Sequence, residues 1–228
     1  MAAQWLAGPR ARLLRRAQIG RRRRVLEVGC GHGFVTEELV RRCPGPVVAL
    51  DRDIRPATSR GVPGAQLVQA DAVALPFADP SFDLVLFQNT LLWVDGSSQA
   101  IWEAARILWP DGALIAIEPD FGGMIEYPPA VALQDVWVRA LSAWGADPLI
   151  GRKLPGLCER AGLEVWVALQ QMPRDAGPAA MRLLDDVPLA AEDRARVEDT
   201  KRLVSRRTGT WDVFIHVPYF LIVATKPR

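Results

Sequence analysis

An α/β fold, a mostly parallel seven-stranded sheet with helices on both faces, is what this 228-residue sequence predicts. Three observations lead there. Short apolar runs of strand length alternate with helix-period segments through the first half of the chain. A glycine-rich turn follows the first run and opens a helix. Carboxylates stand at the ends of the next two runs, where an open parallel sheet presents its ligand side.

Each element has a local reason. Pro9 followed by Leu13, Leu14 and Ala17 marks a short helix ending near Gly20. Residues 25–28 form a first strand, and 34–42 a helix stopped by Pro44-Gly45-Pro46. Strands follow at 47–50, 66–70 and 83–87, then a helix over 97–108 with Trp102 and Trp109 on one core stripe, then a strand at 113–117. Further on, 131–144 reads as a helix with Leu133, Trp137, Leu141 and Trp144 aligned, and 153–161 as another stopped by Gly162. Residues 165–169 and 219–224 complete seven strands. The whole of 1–228 is expected to be one domain, with a basic helical arm at 1–22 and a polar, partly helical insert at 174–212 as a lid.

Composition narrows the function classes. Half the residues are hydrophobic and 24% are charged, the balance of a globular chain with a full core. The longest apolar runs, Leu84-Val85-Leu86-Phe87 and Ala113-Leu114-Ile115-Ala116-Ile117, fall far short of the roughly 20 residues that span a bilayer. The N-terminal stretch is arginine-rich and lacks the apolar segment of a secretory leader. Cys30, Cys43 and Cys158 lack metal or disulfide spacing, so no metal site is expected and a reducing cytoplasm is the default. Residues 1–26 carry eight arginines and no acid, leaving 20 basic against 26 acidic residues in the rest. Such an arm can attract nucleic acid, but no aromatic residues interleave these arginines as a stacking groove requires.

The strongest chemical signal is Glu27-Val28-Gly29-Cys30-Gly31-His32-Gly33. Glycines there let backbone amides approach a ligand without Cβ clashes. The spacing departs from the dinucleotide fingerprint because Phe34 takes the place of its third glycine. Glu27, an acid beside the loop, disfavours a phosphate and favours a cationic group. Asp51 ends the second strand, where a carboxylate can accept bonds from ribose hydroxyls. Asp71 follows the third, where it can accept an exocyclic amine, and Gln88-Asn89 end the fourth. Asp51 and Asp71 individually can be turn residues. Their recurrence at consecutive strand tips points to a ligand.

Together these segments resemble the class I S-adenosylmethionine-dependent methyltransferases, in particular those acting on small molecules (methyltransferase type 11/25-like). Val25-Leu26-Glu27-Val28-Gly29-Cys30-Gly31-His32-Gly33 is similar to that family's first motif, and Val48-Ala49-Leu50-Asp51 to its second. Gln69-Ala70-Asp71-Ala72 with Leu75-Pro76-Phe77 resembles the third, and Phe82-Asp83-Leu84-Val85 the fourth. Residues 103–114 resemble the helix, turn and fifth strand that follow, with Asp111-Gly112 where the family usually has two glycines. The resemblance implies a Rossmann-like fold and S-adenosylmethionine as cofactor. It implies that Glu27 and the loop of Gly29, Cys30, Gly31 and Gly33 hold the amino-acid end. Asp51 would bind the ribose, with Arg52 or Ile54 against the adenine. Asp71 and the Ala72 amide would read the adenine edge, and Gln88 would close the pocket. His32 departs from the small residues usual at its position.

For the acceptor the motifs are silent. The sulfonium already activates the methyl group, so a base is needed only if the acceptor must lose a proton. Candidates for that base are Glu118, Asp120, Glu126, Tyr127 and His216. Asn89 is followed by Thr90-Leu91-Leu92, which lacks the Pro-Pro-aromatic sequence of base and amide N-methylation. Trp93, Phe121, Tyr127, Trp137, Trp144 and the 174–212 insert suit an apolar or aromatic small-molecule acceptor. The alternatives are methylation of nucleic acid or protein through the basic arm, a nicotinamide-dependent dehydrogenase, and a non-catalytic cofactor-binding protein.

Overall fold

A computed structural model describes residues 6–170, 183–206, 209 and 212–228. Helix α1 (Ala7–Arg16) presents Arg10, Leu13 and Leu14 to the interior. Strand β1 (Val25–Val28) is buried throughout and leads through the glycine turn into α2 (Phe34–Arg42). Strand β2 (Val47–Asp51), α3 (Arg55–Arg60) and β3 (Ala65–Gln69) follow. Then come β4 (Phe82–Gln88), α4 (Ser97–Ile107) and β5 (Leu108–Pro119). The second half supplies β6 (Ile125–Tyr127), α5 (Gln134–Ala143), α6 (Ile150–Arg160) and β7 (Glu164–Leu169). It continues with α7 (Leu183–Asp186), α8 (Ala191–Ser205), β8 (Phe214–His216) and β9 (Tyr219–Thr225).

Seven strands make one sheet in the order β3-β2-β1-β4-β5-β9-β7. All run parallel except β9, which is antiparallel to both neighbours. The chain leaves β1 toward β2 and β3, then returns to the other side of β1 with β4 and β5. The C-terminal ends of β1 and β4 are therefore the point where strand order reverses, the place an open sheet leaves a crevice. Central β1 and β4 are buried on both faces because helices cover both, whereas edge strands β3 and β7 are only partly buried. Alternation sorts the core into two clusters. Val25, Leu84, Leu86, Ile115 and Ile117 face α1 and α2; Leu26, Val85, Phe87, Leu114 and Ala116 face α4 and α6.

Several local expectations change. Trp102 is 52% exposed, and α4 packs through Ala100, Ile101 and Ala104, whose small side chains allow the helix close to the sheet. Trp109 lies on β5, because the helix stops at Ile107 and the chain straightens at Leu108. Trp144 follows the end of α5 and is exposed, while Leu133, Trp137 and Leu141 are buried as expected. Asp111 takes φ +61°, the left-handed conformation for which the family usually places glycine. Helix α3, with Pro56 in its first turn, and the two-stranded β6-β8 sheet were not foreseen from the pattern.

Part of the basic arm is built into the fold. Arg10 is buried, Arg22 donates to the Ala17 and Asp83 carbonyls, and the Arg23 and Arg24 amides hold the Asp83 carboxylate. The Arg16 and Arg24 guanidinium groups lie over Trp166 and Phe82. Of the 174–212 stretch, residues 174–182, 207–208 and 210–211 lie outside the described residues. Its described part is mainly α7 and α8, tied to α5 by Arg139–Asp193 and Arg196–Asp135 ion pairs. Among the described residues, no helix is long and apolar enough to cross a membrane.

Candidate functional site

A cavity of about 570 Å³ opens at the reversal of strand order. That volume lies within the few hundred to a thousand Å³ that small-molecule sites occupy. Its walls come from four consecutive strand tips: Val28, Gly29 and Gly31 after β1; Leu50, Asp51 and Arg52 after β2; Ala70, Asp71, Ala72 and Val73 after β3; and Asn89, Thr90, Trp93, Val94 and Asp95 after β4. Of the residues singled out in the sequence, Gly29, Gly31, Asp51, Arg52, Asp71 and Ala72 come together on the wall. Glu27, Cys30, Gly33 and Gln88 are not part of that lining.

The glycine turn owes its shape to conformations that only glycine takes readily. Gly29, Gly31 and Gly33 have φ of +79°, +50° and +75°. At Gly29 a Cβ would lie 2.2 Å from Thr90 Oγ1, and at Gly33 it would lie 2.4 Å from a Val62 methyl. At Gly31 it would meet nothing within 4 Å among the described residues. Gly29 and Gly33 are thus required by packing, while Gly31 leaves open the space of the cavity itself. This empty cradle fits the close approach of a ligand to backbone.

Strand β2 locks the turn in place. The Leu50 carbonyl accepts the Gly29 and Cys30 amides at 2.7 and 3.1 Å. The Asp51 carboxylate accepts the Gly31 amide at 2.8 Å and the Asp53 amide at 3.0 Å. Each oxygen keeps a second lone pair, so Asp51 can position the turn and still accept from a ligand. Asp71 is exposed and holds the Val73 amide in its own turn at 3.2 Å.

Glu27 and Gln88 belong to a buried cluster behind the turn. Thr36 Oγ1 donates to the Glu27 carboxylate. Arg10 Nε donates to Glu38 at 2.8 Å, and Arg10 Nη1 to Gln88 Oε1 at 2.9 Å. Burial pushes the Glu27 carboxyl up to about 8, against the Thr36 hydrogen bond and the positive charge of Arg10, which pull it down. Sequence reading missed Arg10. The signal was its place in the stripe Leu6, Arg10, Leu13, Leu14, Ala17, an arginine where an apolar side chain belongs.

The candidate bases are mostly engaged. Glu118 is fully buried, and its Oε1 accepts the Thr90 and Leu91 amides at 2.8 and 2.9 Å. It thereby fixes the segment after β4 that forms a cavity wall. Glu118 Oε2 has no partner among the described residues, and burial pushes this carboxyl up to about 7. Asp120 is held by Arg152 Nε at 2.8 Å and accepts the Gly122 amide. Glu126 accepts the Leu133 and Gln134 amides at the start of α5, acting as a cap. Tyr127 is exposed on β6, stacked on Phe214, and His216 is buried on β8, where desolvation lowers its pKa. Trp93 meets Trp144 edge to face at 5.3 Å, and buried Phe121 and Trp137 stack at 5.1 Å. A second cavity, about 470 Å³, lies away from the switch point beside Trp102, Arg106 and Lys226. There the Lys226 ammonium already donates to the Ala105 and Leu108 carbonyls.

Comparison with known proteins agrees with this geometry. A sequence profile described as "Methyltransferase domain" matches residues 26–116, which hold β1 to β5. Methyltransferase GfsG of Streptomyces halstedii is 27% identical, with 94% of this chain and 78% of that protein covered. A fatty-acid O-methyltransferase of Mycolicibacterium smegmatis is 33% identical over 70% of this chain and 57% of its own length. The chain spans only about a third to a half of several other curated relatives. The crystal structure of YcgJ from Bacillus subtilis superposes with a TM-score of 0.69 at 17% identity, covering 96% of this chain and 97% of that one, which shows the shared fold.

Two predictions follow from the strand tips. Gly31→Ala should remain folded, at a cost of about 1 kcal/mol for a side chain at positive φ, yet lose affinity for S-adenosylhomocysteine at least tenfold by calorimetry. Gly29→Ala should instead lower the unfolding midpoint sharply, because its Cβ collides with Thr90. Equal behaviour of the two variants would contradict the assignment of Gly31 to the open side.

The second concerns pH. A carboxyl raised from its ordinary range to about 7 on folding favours the folded state below about 4.5, and that contribution is lost as pH climbs through 7. Glu118→Gln keeps an oxygen for the two amides but does not titrate. The fall in melting temperature between pH 5 and 8 should be shallower in Glu118→Gln than in the wild type. An unchanged slope would show that Glu118 is ionised throughout.

Proposed function

The chain belongs to the class I S-adenosylmethionine-dependent methyltransferases, and from that premise we propose that it methylates a small-molecule acceptor by in-line transfer. The observation that carries this reading is the cavity at the strand-order reversal, where an open glycine cradle and two carboxylates on successive tips converge. When bound there, the cofactor supplies a methyl group activated by its sulfonium. The chain's own work is to hold, orient and exclude water.

Asp51 accepts the ribose hydroxyls on its remaining lone pairs, with Arg52 alongside. Asp71 and the Ala72 amide read the adenine edge, and Val73, Trp93 and Val94 enclose it. The turn at Gly29, Cys30, Gly31 and Gly33 cradles the amino-acid end, with the Glu27 carboxyl behind it and Gln88 closing that side. No general base is assigned. Glu118, Asp120 and Glu126 are committed to backbone or ion-pair partners, and Tyr127 and His216 stand on the small sheet.

A small acceptor is supported from two sides. The fatty-acid O-methyltransferase relative takes such a substrate by its name, and exposed aromatic surface (Trp93 with Trp144, Tyr127 with Phe214) flanks the site or the small sheet. Within the basic arm, Arg10 is neutralised by Glu38, and Arg16, Arg22 and Arg24 are held against Trp166, the Asp83 carbonyl and Phe82, which ties part of the arm to the fold. We read 1–228 as one domain in which the insert containing α7 and α8 covers the acceptor. The buried free thiols of Cys30, Cys43 and Cys158 suit a reducing cytoplasm.

Incubating the purified chain with methyl-labelled S-adenosylmethionine and fractionated cell extract tests the substrate class. Label is expected in the low-molecular-weight fraction. Label entering RNA, DNA or protein instead, with binding that falls steeply with salt, would overturn it.

A further inference from the structure

The arginine-rich N-terminal helix has no role in the reading above, yet one of its side chains reaches the back of the cofactor site. Strand alternation puts Glu27 and Gln88 on the same face of the sheet, since Glu27 is level with Leu86 and Gln88 lies two residues beyond it. Helices α1 and α2 cover that face. Arg10 enters from α1 with only 4% of its side chain exposed and joins Glu38 of α2 to Gln88 at the tip of β4. Arg42 meets the other oxygen of Glu38 at 3.0 Å.

We propose that Arg10 is a positioning residue of the cofactor site, the buried positive charge around which Gln88, Glu38 and, one strand over, Glu27 are arranged. The inference rests on the reading that Glu27 attracts the cofactor's ammonium group. A neutral acid cannot do that with the strength of a carboxylate. The groups acting on Glu27 are Thr36 on α2, Asp51 on β2 and Arg10 on α1, and Arg10 is bonded in turn to Glu38 on α2 and Gln88 on β4. Of the groups that act on Glu27, Arg10 is the cation. Burial and Asp51 oppose ionisation of Glu27, whereas Thr36 and Arg10 favour it. Without Arg10, Glu27 ionises only at higher pH, and the Gln88 amide loses the donor that turns its oxygen toward α1.

The test separates charge from packing. Arg10→Met alone strands Glu38, which by itself destabilises. Arg10→Met/Glu38→Met replaces the pair with apolar side chains of similar length and restores packing. Calorimetry of the full chain with S-adenosylhomocysteine from pH 6.5 to 8.5 gives the ratio of wild-type to variant affinity, in which the ligand's own titration cancels. Wild-type binding is the control: its absence would sink the cofactor assignment, not this inference. The double variant should melt near the wild type but bind several-fold more weakly at pH 7, with the gap narrowing toward pH 8.5. Wild-type affinity at pH 7 in the folded double variant would overturn the proposal. Should that variant not fold, Arg10→Lys decides: it keeps the charge, so its pH profile should match the wild type, and a displaced profile would refute the role.

Discussion

The turn out of β1 is the constraint on which the site depends. Three residues at positive φ must reverse the chain between a buried strand and a helix with one face buried, within reach of β2 on one side and Thr90 on the other. Its amides are held by the Leu50 carbonyl and the Asp51 carboxylate. The same hydrogen bonds that stabilise the turn set the distance between the first two strand tips. The cradle at Gly31 and the position of Asp51 are therefore one feature, because moving either moves the other.

Two buried carboxylates support this turn region from opposite faces of the sheet. Glu27, beneath α1 and α2, is surrounded by polar groups, while Glu118, on the α4 side, holds the amides that begin the segment after β4. Both are raised well above the ordinary carboxylate range by burial. Replacing such a group with an apolar one of similar size often costs a fold little or even stabilises it. Their retention in the interior is understandable if geometry at the strand tips matters more than stability. Thr90 shows the connection: its amide is held by Glu118, its hydroxyl donates to the Val28 carbonyl at 3.2 Å, and its side chain packs against Gly29.

Much of this was legible in the sequence because the relevant signals were local. Buried parallel strands read as unbroken apolar runs, and strand tips are where Asp51 and Asp71 fall by simple counting. What failed was anything decided by packing at a distance. Trp102 and Trp109 share a helical spacing of seven, but the helix ends between them, and alanines rather than tryptophan face the sheet. The strands β6 and β8 have three residues each, too few for periodicity, and lie 87 residues apart in the Tyr127–Phe214 pair. Glu118 reads in sequence as a candidate base; only the structure shows its oxygen committed to two amides. Arg10 is one of eight arginines in the basic arm, indistinguishable by composition from its neighbours, yet it alone among them is buried.

Hydrogen–deuterium exchange of the full chain with and without S-adenosylhomocysteine tests the central claim, that the four strand tips form one ligand site. The account predicts slower exchange on ligand addition across 29–33, 51–53, 70–73 and 89–95 together, with 102–110 unchanged. Protection confined to 102–110, or ligand binding that leaves 29–33 and 51–53 exchanging as before, would contradict it.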